Sequence, residues 1–150
     1  MLSNKSIHNL IESKELILDP YFDQNIRGCG ILLHLGEKLR KLKNKEIDLR
    51  KLENLEYEEF KIAEEGYLLE SNEMILAQTL EKIKLPKNIA GWIETRGTIA
   101  NTGLQVHLCD SHIDPESDLN ITLQLKNNNS VPIKIYKEYY MIKMYLFQVE

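Results

Sequence analysis

Cysteine, tryptophan and long apolar runs are scarce in this chain, and each scarcity excludes something. There are two cysteines in 150 residues, Cys29 and Cys109. They are far apart and form no Cys-x-x-Cys pair, so neither a structural disulfide nor a structural zinc site is expected. A reducing cytoplasm is the default compartment. No apolar run approaches the ~20 residues needed to cross a bilayer. The first residues lack the basic-then-apolar order of a signal peptide, so no membrane association is expected. A basic surplus is also missing. The formal net charge of −4 argues against general nucleic-acid binding while leaving room for local sites that hold a small anion.

What is present fits one domain over 1–150, long enough to bury a core. Residues 3–13 read as a short amphipathic helix, with Ser3 as N-cap and Ile7, Leu10 and Ile11 on one face. Glu15–Leu18 is a brief strand ended by Asp19-Pro20, and Ile31–Leu35 is a buried strand. Residues 37–66 are dense in Lys and Glu and are read as a peripheral insertion. Leu39, Leu42, Leu49, Leu52 and Leu55 also suit a helix there. From Tyr67 onward, short β-like segments alternate with turn signals: Met74–Leu80, Gly91–Thr95, Leu104–Cys109, Leu119–Leu125, Val131–Tyr136 and Tyr140–Val149. Asn127–Ser130 has the composition of a hairpin turn. The pattern predicts a mainly β fold, a sandwich or jelly roll behind a short N-terminal helix.

The chemistry concentrates between Gly91 and Pro115. Arg96-Gly97-Thr98 joins a guanidinium, a position without a side chain and a hydroxyl, a set able to grip phosphate through charge-assisted bonds and backbone amides. Asp114, in His112-Ile113-Asp114-Pro115, could accept a bond from a sugar hydroxyl. A surface ion pair for Arg96 and a turn cap for Asp114 are the alternatives. Asp110 reads either as a contact to a base amino group or as a turn residue. His107 and His112 flank the same hairpin without a metal-ligand cluster, and packing or edge exposure accounts for both. Cys109 lacks an activating base and reads as a buried thiol. Trp92 reads as core or interface packing. Lys137 and Lys143 read as solvent-exposed, with charge for a neighbouring subunit's phosphate site as the alternative.

The order and spacing of these segments resemble the dCTP deaminase and trimeric dUTPase superfamily, closest to dCTP deaminase-like proteins. Met1-Leu2-Ser3-Asn4-Lys5 through Ile11 is similar to that family's opening helix. Asp19-Pro20, Asn25-Ile26 and Leu33-His34-Leu35-Gly36 resemble its first motif. Leu76–Glu81 with Leu85-Pro86 resembles the strand and turn before the phosphate motif. Ile121–Asn127 and Pro132–Tyr136 resemble the strands after it. The resemblance covers most of the chain outside 37–66. It implies a distorted jelly roll of the dUTPase-like type, a homotrimer with nucleotide sites between subunits, and nucleotide-binding roles for Arg96, Gly97, Thr98, Asn101, Asp110, Asp114 and Gln124. No cofactor is expected for binding itself, with Mg²⁺ accompanying a nucleoside triphosphate.

The same resemblance exposes departures. The family's catalytic glutamate falls at Gln124, and an amide cannot take a proton from the attacking water; loss of general-base help costs about 10²–10⁴-fold. The usual Arg-Ser-Ser is Arg96-Gly97-Thr98. Asn101 stands in place of a second arginine, and Leu32 in place of the first-motif aspartate. Lys137-Glu138-Tyr139-Tyr140 replaces a glycine-rich turn. The sequence ends at Glu150, which gives no expectation of the C-terminal arm that closes over nucleotide in that family. The zinc route to deamination, His-x-Glu with Pro-Cys-x-x-Cys, is absent. The first expectation is therefore a nucleotide-binding protein with lost or weakened catalysis, sequestering or sensing a nucleotide, a cyclic one included. The alternatives are an active dCTP deaminase or dUTP diphosphatase, the latter with Asp114 orienting water, and a protein-interaction module built on residues 37–66.

Overall fold

The computed structural model describes all 150 residues, Met1–Glu150. Helix α1 (Asn4–Glu12) starts where the Ser3 hydroxyl accepts the Ser6 amide at 3.2 Å, and it buries Ile7. The rest is mainly strand: β1 (Ile17–Asp19), β2 (Ile31–Leu42), β3 (Tyr57–Lys61), β4 (Tyr67–Leu69), β5 (Met74–Lys84), β6 (Ile89–Thr95), β7 (Leu104–Gln105), β8 (His112–Ile113), β9 (Asp118–Asn127), β10 (Ile133–Ile135) and β11 (Tyr140–Gln148). A short helix α2 (Gly97–Ala100) follows β6 directly.

Nine strands form one curled sheet in the order β7-β9-β5-β2-β11-β6-β8, with β1 added to β5 and β3 to β2. Strand β2 makes the curl. Its first residues, Ile31–His34, pair with β11, and its later ones pair with β5 and β3. The register slips between Leu35 and Leu39, as expected where a strand passes from one layer to the other. Gly36 sits at that passage, where a Cβ would meet the Gln78 carbonyl oxygen at 2.9 Å. The layers close on one core that includes Leu33, Leu35, Leu39, Ile83, Ile93, Leu123 and Met144. This is the distorted jelly roll expected from the sequence.

Strand β5 shows the period-2 logic at its clearest: Ile75, Ala77, Thr79, Glu81 and Ile83 all point inward. Four of them suit a core. Glu81 is a carboxylate removed from water, tolerable only with partners. It takes the His34 amide at 3.0 Å and pairs with the His34 ring.

Several local expectations are corrected. Leu39 is fully buried in β2, and β3 pairs with β2, so the ends of 37–66 are a hairpin of the main sheet and not a helix. Strand pairing overrode the leucine spacing. The middle of that segment carries Leu49 (79% exposed) and a 3₁₀ turn at Leu52–Asn54. Asn127–Ser130 is no hairpin turn, because β10 pairs with β4 and not with β9. Asn127 is instead buried and donates to the carbonyls of Leu69, Glu70 and Val131. The strand expected at Leu104–Cys109 stops at Gln105, and Cys109 is exposed with φ 79° rather than buried. Trp92 is exposed, its indole N–H donating to Glu94 at 2.9 Å, which removes the core reading of that residue and leaves the interface one.

Candidate functional site

Strand β6 carries the candidate site along its edge. At its end the chain turns into α2: the Arg96 amide is held by the Met141 carbonyl at 3.1 Å, and the Arg96 carbonyl accepts the amides of Ile99 and Ala100. The amides of Gly97 and Thr98, in the first turn, have no acceptor within the chain, as first-turn amides do not. A Cβ at Gly97 would meet nothing within 4 Å. The chain's own packing therefore does not require glycine there, and the space at its Cβ position is open. Thr98 and Asn101 are exposed beside it.

Arg96 is half-buried, and its partners are not carboxylates. One Nη1 bond runs to the Tyr140 carbonyl at 3.3 Å, and the guanidinium lies 5.8 Å from the centre of the Tyr140 ring. The neighbouring carboxylate, Glu94, is occupied by His107 at 3.5 Å and by the Trp92 indole. The surface ion pair offered as the plain alternative for Arg96 is thus not what the structure shows.

Gln124 comes to the same end of the sheet. The Val106 amide donates to the Thr95 hydroxyl at 3.2 Å, and the Val106 carbonyl accepts the Gln124 amide at 3.1 Å. The Gln124 side-chain oxygen accepts the Leu108 amide at 3.3 Å. This leaves its NH₂ group as the free end, a donor with no basicity. Beside it, Glu94, Thr95, Gln105, His107 and Asn128 line a cleft of about 390 Å³. The His107 Nδ1 is buried there without a hydrogen-bond partner.

The hairpin residues fall farther along β6. Ser111 accepts the Ile93 amide, and β8 pairs His112 with Trp92 and Ile113 with Gly91. Asp110 is exposed, next to Ser111, whose carbonyl takes the Ile93 amide, and by register level with Glu94. Asp114 falls beyond Gly91, level with Ala90 and six residues from Arg96, or about 20 Å at ~3.3 Å per strand residue. Its carboxylate is exposed and 3.3 Å from His112 Nδ1, while its carbonyl accepts Ser117 in a tight turn. The fold therefore gathers Arg96, Gly97, Thr98, Asn101 and Gln124, and holds Asp114 apart from them. Leu32, at the position of the family's first-motif acid, is half-buried on β2 and pairs across to Lys143. Lys143 is itself engaged by the Gly28 carbonyl at 2.9 Å, and Lys137 pairs with Glu64.

Tyr140 and its supports were not singled out from the sequence. One signal was available: Glu81 occupies an inward position of β5, where a charge needs a built partner.

Comparison with known proteins agrees with this geometry. The dCTP deaminase-like family profile matches residues 1–149. A Nanoarchaeum equitans protein named dCTP deaminase, dUMP-forming, is 29% identical over 99% of this chain and 84% of its own length. A Buchnera aphidicola dCTP deaminase is 33% identical over 84% of this chain and 72% of its own. The solved dCTP deaminase of Agrobacterium tumefaciens superposes with a TM-score of 0.77 at 14% identity, covering 99% of this chain and 47% of that one. The dUTPase of Streptococcus mutans superposes at 0.54 and 12% identity over 90% of this chain and 95% of that one. With the fold and the profile in agreement, this chain belongs to the dCTP deaminase-like family.

Proposed function

We propose that the chain binds a pyrimidine deoxynucleoside triphosphate, dCTP first among them, and that its deamination of dCTP is strongly slowed. One observation carries the binding half: Arg96 is a half-buried cation with no carboxylate partner, next in the chain to the unpaired amides of Gly97 and Thr98. Such a group is satisfied by an incoming phosphate. Gln124 supports the slowed half, since its amide can orient a base but cannot accept the proton of the attacking water.

The separation of Arg96 from Asp114 supports a composite site. The 3′-hydroxyl and 5′-phosphate of a nucleotide are divided by a single sugar ring, whereas these side chains stand at opposite ends of β6. A second copy supplying Asp114 beside the first copy's Arg96 resolves this, and a homotrimer is the assembly we infer. A Mg²⁺ ion would be carried mainly by the triphosphate oxygens. Two exposed thiols, Cys29 and Cys109, fit a reducing cytoplasm.

A second reading, a working dCTP deaminase or one that releases dUMP, is favoured by the names of the relatives. It needs a proton acceptor other than Gln124. Mixing protein and nucleotides at stoichiometric concentration, then analysing filtrate and heat-released fractions, separates the two. Unchanged dCTP, recovered only on heating, supports binding without turnover; the same result for a cyclic nucleotide alone would move the ligand to a signalling class. Conversion of dCTP to dUTP or dUMP at ordinary enzyme concentration overturns the slowed half. In Gln124→Glu, deamination should rise by about 10²–10⁴-fold, the range that general-base help contributes.

A further inference from the structure

We propose that Tyr140 is the positioning residue of the phosphate site, fixing the direction of the Arg96 guanidinium without neutralising it. This rests on the reading of Arg96 as the phosphate-binding group. Phosphate recognition by arginine depends on a planar fork held at a set angle. A carboxylate would hold that fork but compete with the incoming anion. Tyr140 holds it by two uncharged means: its carbonyl takes one Nη1 bond at 3.3 Å, and its ring lies 5.8 Å from the guanidinium carbon. A single bond leaves the guanidinium's other donors free for phosphate.

Tyr140 is in turn held from behind. Its ring packs on His34 with centroids 4.2 Å apart and planes tilted by 33°, and Phe22 meets the imidazole edge-on at 5.4 Å. Its hydroxyl bonds to Asn25 Oδ1 at 3.1 Å. His34 is fixed by Glu81, buried within β5. A column therefore runs from the core carboxylate through His34 and Tyr140 to the phosphate arginine, joining β5, β2, β11 and α2. The residues Lys137–Tyr140, which stand where the family has a glycine-rich turn, acquire a function: they bring an aromatic ring under Arg96.

The test uses the full chain with two probes, dCTP and inorganic tripolyphosphate, each titrated by calorimetry. Tyr140→Leu should weaken both by about 5–10-fold, within the range of a partly desolvated cation–π contact. Tyr140→Phe keeps the ring and should bind within about 2-fold of the parent. Tyr140→Met provides a second apolar replacement should the leucine variant fold poorly, and a thermal melt of each variant checks this. In an Arg96→Gln background there is no cation over the ring to hold, so Tyr140→Leu should then cost less than about 2-fold. An equal loss in both backgrounds, or full affinity in both Tyr140→Leu and Tyr140→Met, overturns the positioning role. If Arg96→Gln itself binds both probes as tightly as the parent, the phosphate-site reading fails first and takes this inference with it.

Discussion

The two ends of strand β6 are built differently. At the Arg96 end the side chain is half-buried, bonded to Tyr140 and backed by a column that reaches the core. At the Asp114 end the carboxylate is exposed, and the side chain beside it is the His112 imidazole, itself on the surface. The first group is aimed before any ligand arrives, so little ordering remains to be done on binding. The second must gain its surroundings from elsewhere. On the proposed reading of the site, the difference teaches that one chain contains a prepared phosphate end and an unfinished sugar end.

Substitutions at each end should separate these roles. Arg96→Gln removes charge-assisted bonds worth about 1.5–3 kcal/mol and should weaken dCTP binding roughly 10–100-fold by calorimetry. Asp114→Asn should cost less, about 10-fold or under, because a neutral side chain still reaches the same hydroxyl. If the Asp114 change proves the larger, the comparison is upside down. Subunit mixing sharpens it further. Where Arg96 and Asp114 come from different copies, an equal mixture of the two single variants should regain about a quarter of the intact sites by random assembly in a closed ring. Stoichiometric titration of the remixed protein measures this, and zero recovery would place both groups in one chain's site.

Smaller effects concern the framework. Glu138 adopts φ 59° in the turn before β11, a left-handed conformation that disfavours a side chain with a Cβ. Glu138→Gly should raise stability by up to about 1 kcal/mol, visible as a higher Tm, unless chain flexibility in the unfolded state offsets it. Glu73 gives the smallest change. Burial works to raise its carboxyl pKa, but hydrogen bonds from Lys41, the Glu70 amide and Tyr67 outweigh this and hold it below the usual carboxylate range. The same cluster, with burial first and the Glu73 bond next, pushes Tyr67 up to about 12. A carboxyl depressed in the folded state contributes stability that is present above its unfolded pKa and lost as pH falls through the folded one. Glu73→Gln should therefore flatten the acid side of the stability–pH curve, measured by denaturant melts from neutral pH downward.

Much of the fold was legible because its signals are local. Ser3 capping an apolar 3.6-residue pattern gives α1, and the β-like runs Met74–Leu80 and Leu119–Leu125 fall within β5 and β9. The leucines of 37–66 misled, since their spacing suits a helix while the partner that makes β2 a strand, β3, lies across a long loop. Asn127 misled for a related reason. Its composition signals a turn, yet its side chain is consumed by three carbonyls, two of them, Leu69 and Glu70, distant in the chain. In the site, Arg96, Thr98 and Gln124 were readable from their order. Tyr140, His34 and Asn25 stand within motifs but had no legible role in the site, because the bonds that give them one span between 44 and 115 positions of the chain.

The sequence by itself determined residue types: a phosphate-competent Arg96-Gly97-Thr98, and an amide at Gln124 where proton transfer would need an acid's conjugate base. Basicity and charge belong to a side chain's chemistry and need no neighbours to be known. Only the tertiary structure decided that Arg96 stands unneutralised over Tyr140 and that Asp114 lies at the far end of the same strand. Those facts depend on strand register and on which rings and carbonyls the curl of β2 brings together, and no local stretch of sequence encodes them.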